Sequence, residues 1–213
     1  MSKLLISSLG MVSAGGIGIG GYLLFNPSEN KKFTTFKEKY SKSLLDLSGK
    51  SDETIWNTKL TALKSQTPNH PSLKEVSAVV KEERGEEKAK PLHKETCQKI
   101  YDSPSNNQSY FEDFKKYCSK LIGDLITGDW VSQESSADSK WNTKLGSLVN
   151  KKGELISQKL KDLVGKLPAG NNDSFTEAHR KDLKDWCSSK KEQLFNGEES
   201  NVIEEIKSYC TGN

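Results

Sequence analysis

The pentapeptide Trp-Asn-Thr-Lys-Leu occurs twice in this chain of 213 residues, as Trp56 to Leu60 and as Trp141 to Leu145. Each copy is followed by a long stretch of helical pattern, a cysteine, and then a Tyr-Cys pair: Cys97 with Tyr117-Cys118, and Cys187 with Tyr209-Cys210. Lys39-Tyr40-Ser41-Lys42 precedes the first copy, and Lys116-Tyr117-Cys118-Ser119-Lys120 precedes the second. Elements recurring in one order point to duplication, and a duplicated chain must fold as two similar units. The expected organisation is an anchor over residues 1–26, a helical module over 27–118 and a second over 119–213. In this reading Trp56, Leu60, Trp141, Leu145 and Trp186 are core residues of the modules.

Both modules are expected to be helical bundles, so the fold class is all-α. Apolar residues recur at helical spacing in Phe33, Phe36, Tyr40, Leu44, and again in Phe111, Phe114, Cys118, Leu121, Ile122, Leu125. The series Leu148, Val149, Leu155, Ile156, Leu160, Leu163, Val164 predicts another helical face, stopped by Pro168-Ala169-Gly170. Ser174 with Glu177 reads as a capping box, and Pro71 and Pro91 each suit a first helical turn. The charged run at 81–90 reads as a solvated helix end or linker.

Hydrophobic residues make up only 33% of the chain, so each core is lean and gains from a covalent staple. Four cysteines allow three pairings, and the repeat selects Cys97 with Cys118 and Cys187 with Cys210. Bridges closing loops of this length stabilise by about 3 kcal/mol each and imply an oxidising, extracytoplasmic compartment. Metal binding is the weaker alternative: there is no C-x-x-C, and only His70, His93 and His179 could assist. His93 lies four residues before Cys97, but His179 lies eight before Cys187, so the two copies disagree.

From Leu4 to Phe25 the chain carries no charge, and as a helix that stretch would span roughly 33 Å against a hydrocarbon core of about 30 Å. It is expected to be a single-pass anchor. Gly10, Ala14 and Gly18 fall four apart, a small-residue spacing that admits self-association of the anchor. The rival is a signal peptide cut after Ala14, which would leave a very short apolar region. Gly16-Ile17-Gly18-Ile19-Gly20-Gly21 matches the dinucleotide fingerprint, but Pro27 stops any following helix and no strand and helix alternation surrounds it.

Thirty-two basic residues against 29 acidic ones leave no electrostatic footprint for nucleic acid. No H-E-x-x-H, G-x-S-x-G or phosphate-binding loop is present, and acidic pairs such as Glu82-Glu83 and Glu204-Glu205 read as solvated faces. No cofactor, no metal and no catalytic residue is therefore expected. The competing class is an extracytoplasmic enzyme, a hydrolase, whose site no motif marks.

The opening MSKLLISSLGMVSAGGIGIGGYLL, the central W-x-x-x-L and the ending LKDWC…SYC resemble the paralogous sets of uncharacterised, membrane-anchored proteins encoded by haemotropic mycoplasmas. The box Leu183 to Cys187 carries the likeness, and His93 to Cys97 departs from it by lacking the Trp. The resemblance implies a surface protein engaged in host contact or antigenic variation, with a host surface protein as partner. It supplies no catalytic residue. Positive-inside counting opposes an external C-terminal region, since Lys31, Lys32, Lys37 and Lys39 follow the anchor. Paired cysteines and the resemblance point outward, so the expected location is the cell membrane with the C-terminal domain outside.

Overall fold

The computed structural model describes residues 33–131, 135–168, 174–197 and 200–212. The anchor expected over 4–25 and the boundary at 26 lie outside them. Among the described residues no helix is long and apolar enough to cross a membrane. Those residues are all-α: nine α-helices, short 3-10 turns and four isolated backbone bridges, with no strand. From Thr34 onward the chain forms one compact unit.

Its buried apolar side chains fall into two clusters, drawn from Phe36 to Cys118 and from Ile122 to Cys210. Around the first lie α1 (Phe36–Lys39), α2 (Glu53–Ser65), α3 (Pro71–Val80), α4 (Gly85–Tyr101) and α5 (Gln108–Tyr117). The second is enclosed by α6 (Lys140–Asn150), α7 (Gln158–Val164), α8 (Glu177–Lys191) and α9 (Ser200–Cys210). In α2 the buried positions Ile55, Trp56, Lys59, Leu60 and Leu63 form one stripe, as a 3.6-residue period requires.

Each cluster is closed by the same kind of backbone contact between its entry segment and its last helices. In the first, the Phe36 amide donates to Ser103 O at 3.1 Å and the Ser105 amide to Thr34 O at 2.9 Å. In the second, the Ile122 amide donates to Gln193 O at 2.9 Å and the Phe195 amide to Lys120 O at 3.0 Å. The Lys120 amide then reaches Ser43 O, and the Gly212 amide reaches Asp129 O, both at 2.7 Å.

Several local expectations change. Pro71 does open α3, where an absent amide costs nothing, but Pro91 is the seventh residue of α4. The helix starts earlier because Arg84 adopts a left-handed φ of 54° and Gly85 closes against α3, where a Cβ would sit 1.9 Å from Val79 O. Pro91 is exposed, so the Glu87 carbonyl deprived of its amide partner can be hydrated. The run at 81–90 is therefore a tight turn leading into α4, with Gly85 and Ala89 buried.

The apolar series from Leu145 to Leu167 is two helices, not one, interrupted by a 3-10 turn over Lys152–Glu154. Leu155 is buried while Ile156 is 49% exposed. Phe33 and Leu125 also face outward, at 51% and 37%, because Phe33 lies in irregular chain ahead of α1 and Leu125 ends a 3-10 turn, so neither sits on a long helical face. Finally, α8 is capped not by Ser174 and Glu177 but by Thr176, whose hydroxyl accepts the His179 amide while His179 Nδ1 accepts the Thr176 amide.

Candidate functional site

The residues singled out by the sequence are brought into two buried frames. Cys97 and Cys118 form a disulfide joining α4 to the end of α5, and Cys187 and Cys210 form one joining α8 to α9. All four cysteines are fully buried, and so in effect are Trp56, Trp141 and Leu145; Leu60 and Trp186 are at most 5% exposed. An indole buries a polar N–H with its ring, and each finds an acceptor as it must. Trp56 Nε1 donates to Asp46 O at 2.9 Å, Trp141 Nε1 to Ser135 O at 3.1 Å and Trp186 Nε1 to the Ser157 hydroxyl at 3.2 Å.

Asp46 shapes the loop that receives Trp56. Its carboxylate accepts the Gly49 and Ser48 amides and the Ser51 hydroxyl, and these bonds, the Gly49 amide foremost, hold its pKa down to about 2.

The first frame contains a histidine that the second lacks. His93 Nε2 donates to Tyr117 O at 2.9 Å, since a carbonyl can only accept, and its ring meets Trp56 edge-on with centroids 5.0 Å apart. Desolvation pushes His93 down to about 4, against the opposing effect of the Tyr117 carbonyl, so the imidazole is neutral near pH 7. His93, Cys97 and Cys118 place their donor atoms within 4.8 Å of one another. With both sulfurs joined to each other, this set offers a single nitrogen, too few for a zinc ion. The residue four before Cys187 is Leu183, fully buried.

Between the two clusters runs a polar seam that sequence reasoning did not find. Lys59 Nζ meets the Asp124 carboxylate at 2.7 Å, with side chains only 5% and 13% exposed. Lys120 Nζ lies 3.1 Å from Asp52, whose carboxylate also accepts the Asp46 amide. The Ser43 hydroxyl donates to Phe195 O at 2.7 Å. Asp124 has a second role, accepting the Leu121 amide at 2.8 Å. No motif signals such a pair, because its members are far apart in the chain and each looks like an ordinary surface charge.

Buried carboxylates were missed as well. Asp113 accepts the Asn69 and His70 amides just ahead of α3, and Glu205 accepts the Ile156 and Ser157 amides just ahead of α7. Both are nearly inaccessible, at 3% and 8%, so Glu205 is not the solvated acid its neighbours suggest. In each case an acid from the last helix of a cluster satisfies the free donors that open an earlier helix.

Several grooves border these features, and two of them lie against the seam and against Trp186. One of about 490 Å³ lies along the seam, lined by Thr58, Leu121, Asp124, Trp130, Ser188 and Lys191. Two of its ionisable groups are engaged, Asp124 with Lys59 and the Lys191 ammonium 5.3 Å from the centre of the Trp130 ring, and Glu192 lies on its exposed rim. The other, of about 290 Å³, runs between α7 and α8 and alternates Lys159, Asp162, Lys166, Asp182 and Asp185 around Trp186. Neither assembles a nucleophile with a base and an oxyanion donor. Comparison with protein-family models, with curated proteins and with solved structures finds no match for this chain.

Proposed function

We propose that this chain is a single-pass, membrane-anchored surface protein whose two tandem helical units, 27–118 and 119–213, form a non-catalytic interaction module outside the cell. The observation that carries the reading is the pair of fully buried disulfides, one in each cluster, since such bridges persist in oxidising compartments. Duplication is supported by matched contacts. The Cys-to-Tyr-carbonyl approach occurs at Cys97 with Tyr117 and at Cys187 with Tyr209, and the entry-segment bonds and the Asp113 and Glu205 caps also come in pairs.

A frame of Trp, Cys and backbone bonds leaves the polar helix faces free to change without loss of fold, which suits host contact or antigenic variation. The resemblance to the mycoplasma proteins agrees with this, and near-neutral charge argues against nucleic acid as partner. Whole-cell proteolysis read by mass spectrometry tests the topology. Residues 30–213 should be released from intact cells, and protection until lysis would reject the external placement.

A further inference from the structure

The two copies of the pentapeptide place the same lysine in different surroundings. Lys59 is buried against Asp124, a residue of the second cluster's entry segment. Lys144, also three residues after its Trp, is only partly covered: its ammonium donates to Ser208 O at 3.1 Å, and no carboxylate of the described residues pairs with it. Burial nonetheless lowers its pKa, which is the signature of a cation losing water without gaining an anion. The lysine that meets the second cluster's entry segment thus has a counterpart on the second cluster, half-covered by that cluster itself and met by no carboxylate of the described residues.

The entry segments show the complementary relation. Asp124 accepts the amide of Leu121, three residues earlier, beside the contact of Ile122 with Gln193. Glu38 accepts the amide of Thr35, again three earlier, beside the contact of Phe36 with Ser103. Glu38 is therefore the first cluster's counterpart of Asp124, and it is exposed. The hydrogen bond across the seam is not repeated: judged by the matching backbone contacts, Ser43 corresponds to Asp129 and Phe195 to Ser105, and a carboxylate cannot donate to the Ser105 carbonyl.

We infer that a second copy of this chain docks head to tail, with Glu38 of one copy against Lys144 of the next, repeating between molecules the seam that Lys59 and Asp124 form within one. The contact is heterologous, so it builds open chains rather than closed pairs. It rests on the equivalence of the two units proposed above. The second ion pair of the seam is not repeated, because Thr34 stands where Lys120 does, so the intermolecular seam is weaker than the internal one. Charge complementarity sets its register.

The test uses the full chain in detergent micelles, with association followed by sedimentation and by carbodiimide cross-linking of mixed ¹⁴N and ¹⁵N preparations. An intermolecular link between Lys144 and Glu38 is expected. Lys144→Glu and Glu38→Lys should each weaken association at least about tenfold, and an equimolar mixture of the two should restore it, since both junctions in the mixture are then complementary. Glu38→Gln keeps an acceptor for the Thr35 amide while removing the charge, and should weaken association without loss of fold. Association untouched by either reversal, as contact through the glycine-rich anchor would give, overturns the proposal. So does a chain that stays monomeric at every concentration reached. A link from Lys144 to a different carboxylate overturns the register and, with it, the equivalence of the units.

Discussion

Trp56 and Trp141 sit in matching frames, yet the chemistry around them differs. The first cluster surrounds its Trp with a neutral buried histidine and a buried ion pair, whereas the second has Leu183 and a half-covered lysine at the corresponding places. What agrees between the halves is covalent and backbone: a disulfide, an indole on a loop carbonyl, entry-segment amides on late carbonyls. The Asp113 and Glu205 caps agree as well, and what differs is the buried histidine and the partner of the lysine. Scaffold and electrostatics are therefore separable here, and the two halves should respond differently to the same perturbation.

The largest effect should come from cutting a staple. Cys187→Ala removes the bridge of the second cluster and should cost about 2 to 5 kcal/mol there, leaving Cys210 as a lone thiol. Differential hydrogen exchange should show the second cluster opening while amides of α2 to α4 stay protected. Equal loss in both clusters would mean that the seam makes them one cooperative unit.

Acid should act in the opposite sense, on the first cluster. The folded pKa of His93 is depressed to about 4 from an ordinary value of 6.5, so its contribution is fully present above about pH 6.5 and is lost as pH falls toward 4. That corresponds to about 3 kcal/mol once the pH is below both values. His93→Leu should abolish this part of the pH dependence. Chemical denaturation between pH 7 and pH 4, with Trp56 fluorescence as reporter, measures it. An unchanged midpoint across that range would show that the imidazole is hydrated after all.

A smaller difference should separate the two lysines. Lys59→Met leaves Asp124 without its cation in a mostly buried place and should cost on the order of 2 kcal/mol, an effect tempered by the groove that lets water reach Asp124. Lys144→Met removes a cation that no carboxylate of the described residues meets and should change stability by about 0.5 kcal/mol or less. Urea midpoints of the two variants make the comparison, and equal costs would erase the distinction between the covered and the uncovered face.

Much of the scaffold was legible in the sequence. Helical periodicity, the repeated Trp and the order of cysteines lead to an all-α chain with Cys97 joined to Cys118 and Cys187 to Cys210. Legibility failed where a distant residue decides a local conformation. The interruption before α7 and the N-terminus of α3 are satisfied by Glu205 and Asp113, which lie 49 and 44 residues further along the chain. Periodicity counts apolar residues along one segment and is blind to such caps, so Ile156 reads as core although it is 49% exposed. Pro91 misleads for a similar reason, because the start of α4 is set by Gly85 packing against Val79.

The pentapeptide draws the line most sharply. Its sequence alone determined that Trp and Leu turn inward on a helix, since their spacing and hydrophobicity are properties of the segment itself. It could not determine the fate of the lysine between them. Lys59 is buried with an anion and Lys144 is not, although their neighbours on both sides are the same. The cost of burying a charge depends on what stands opposite it, and only the tertiary structure brings Asp124 to one lysine and leaves the other facing outward.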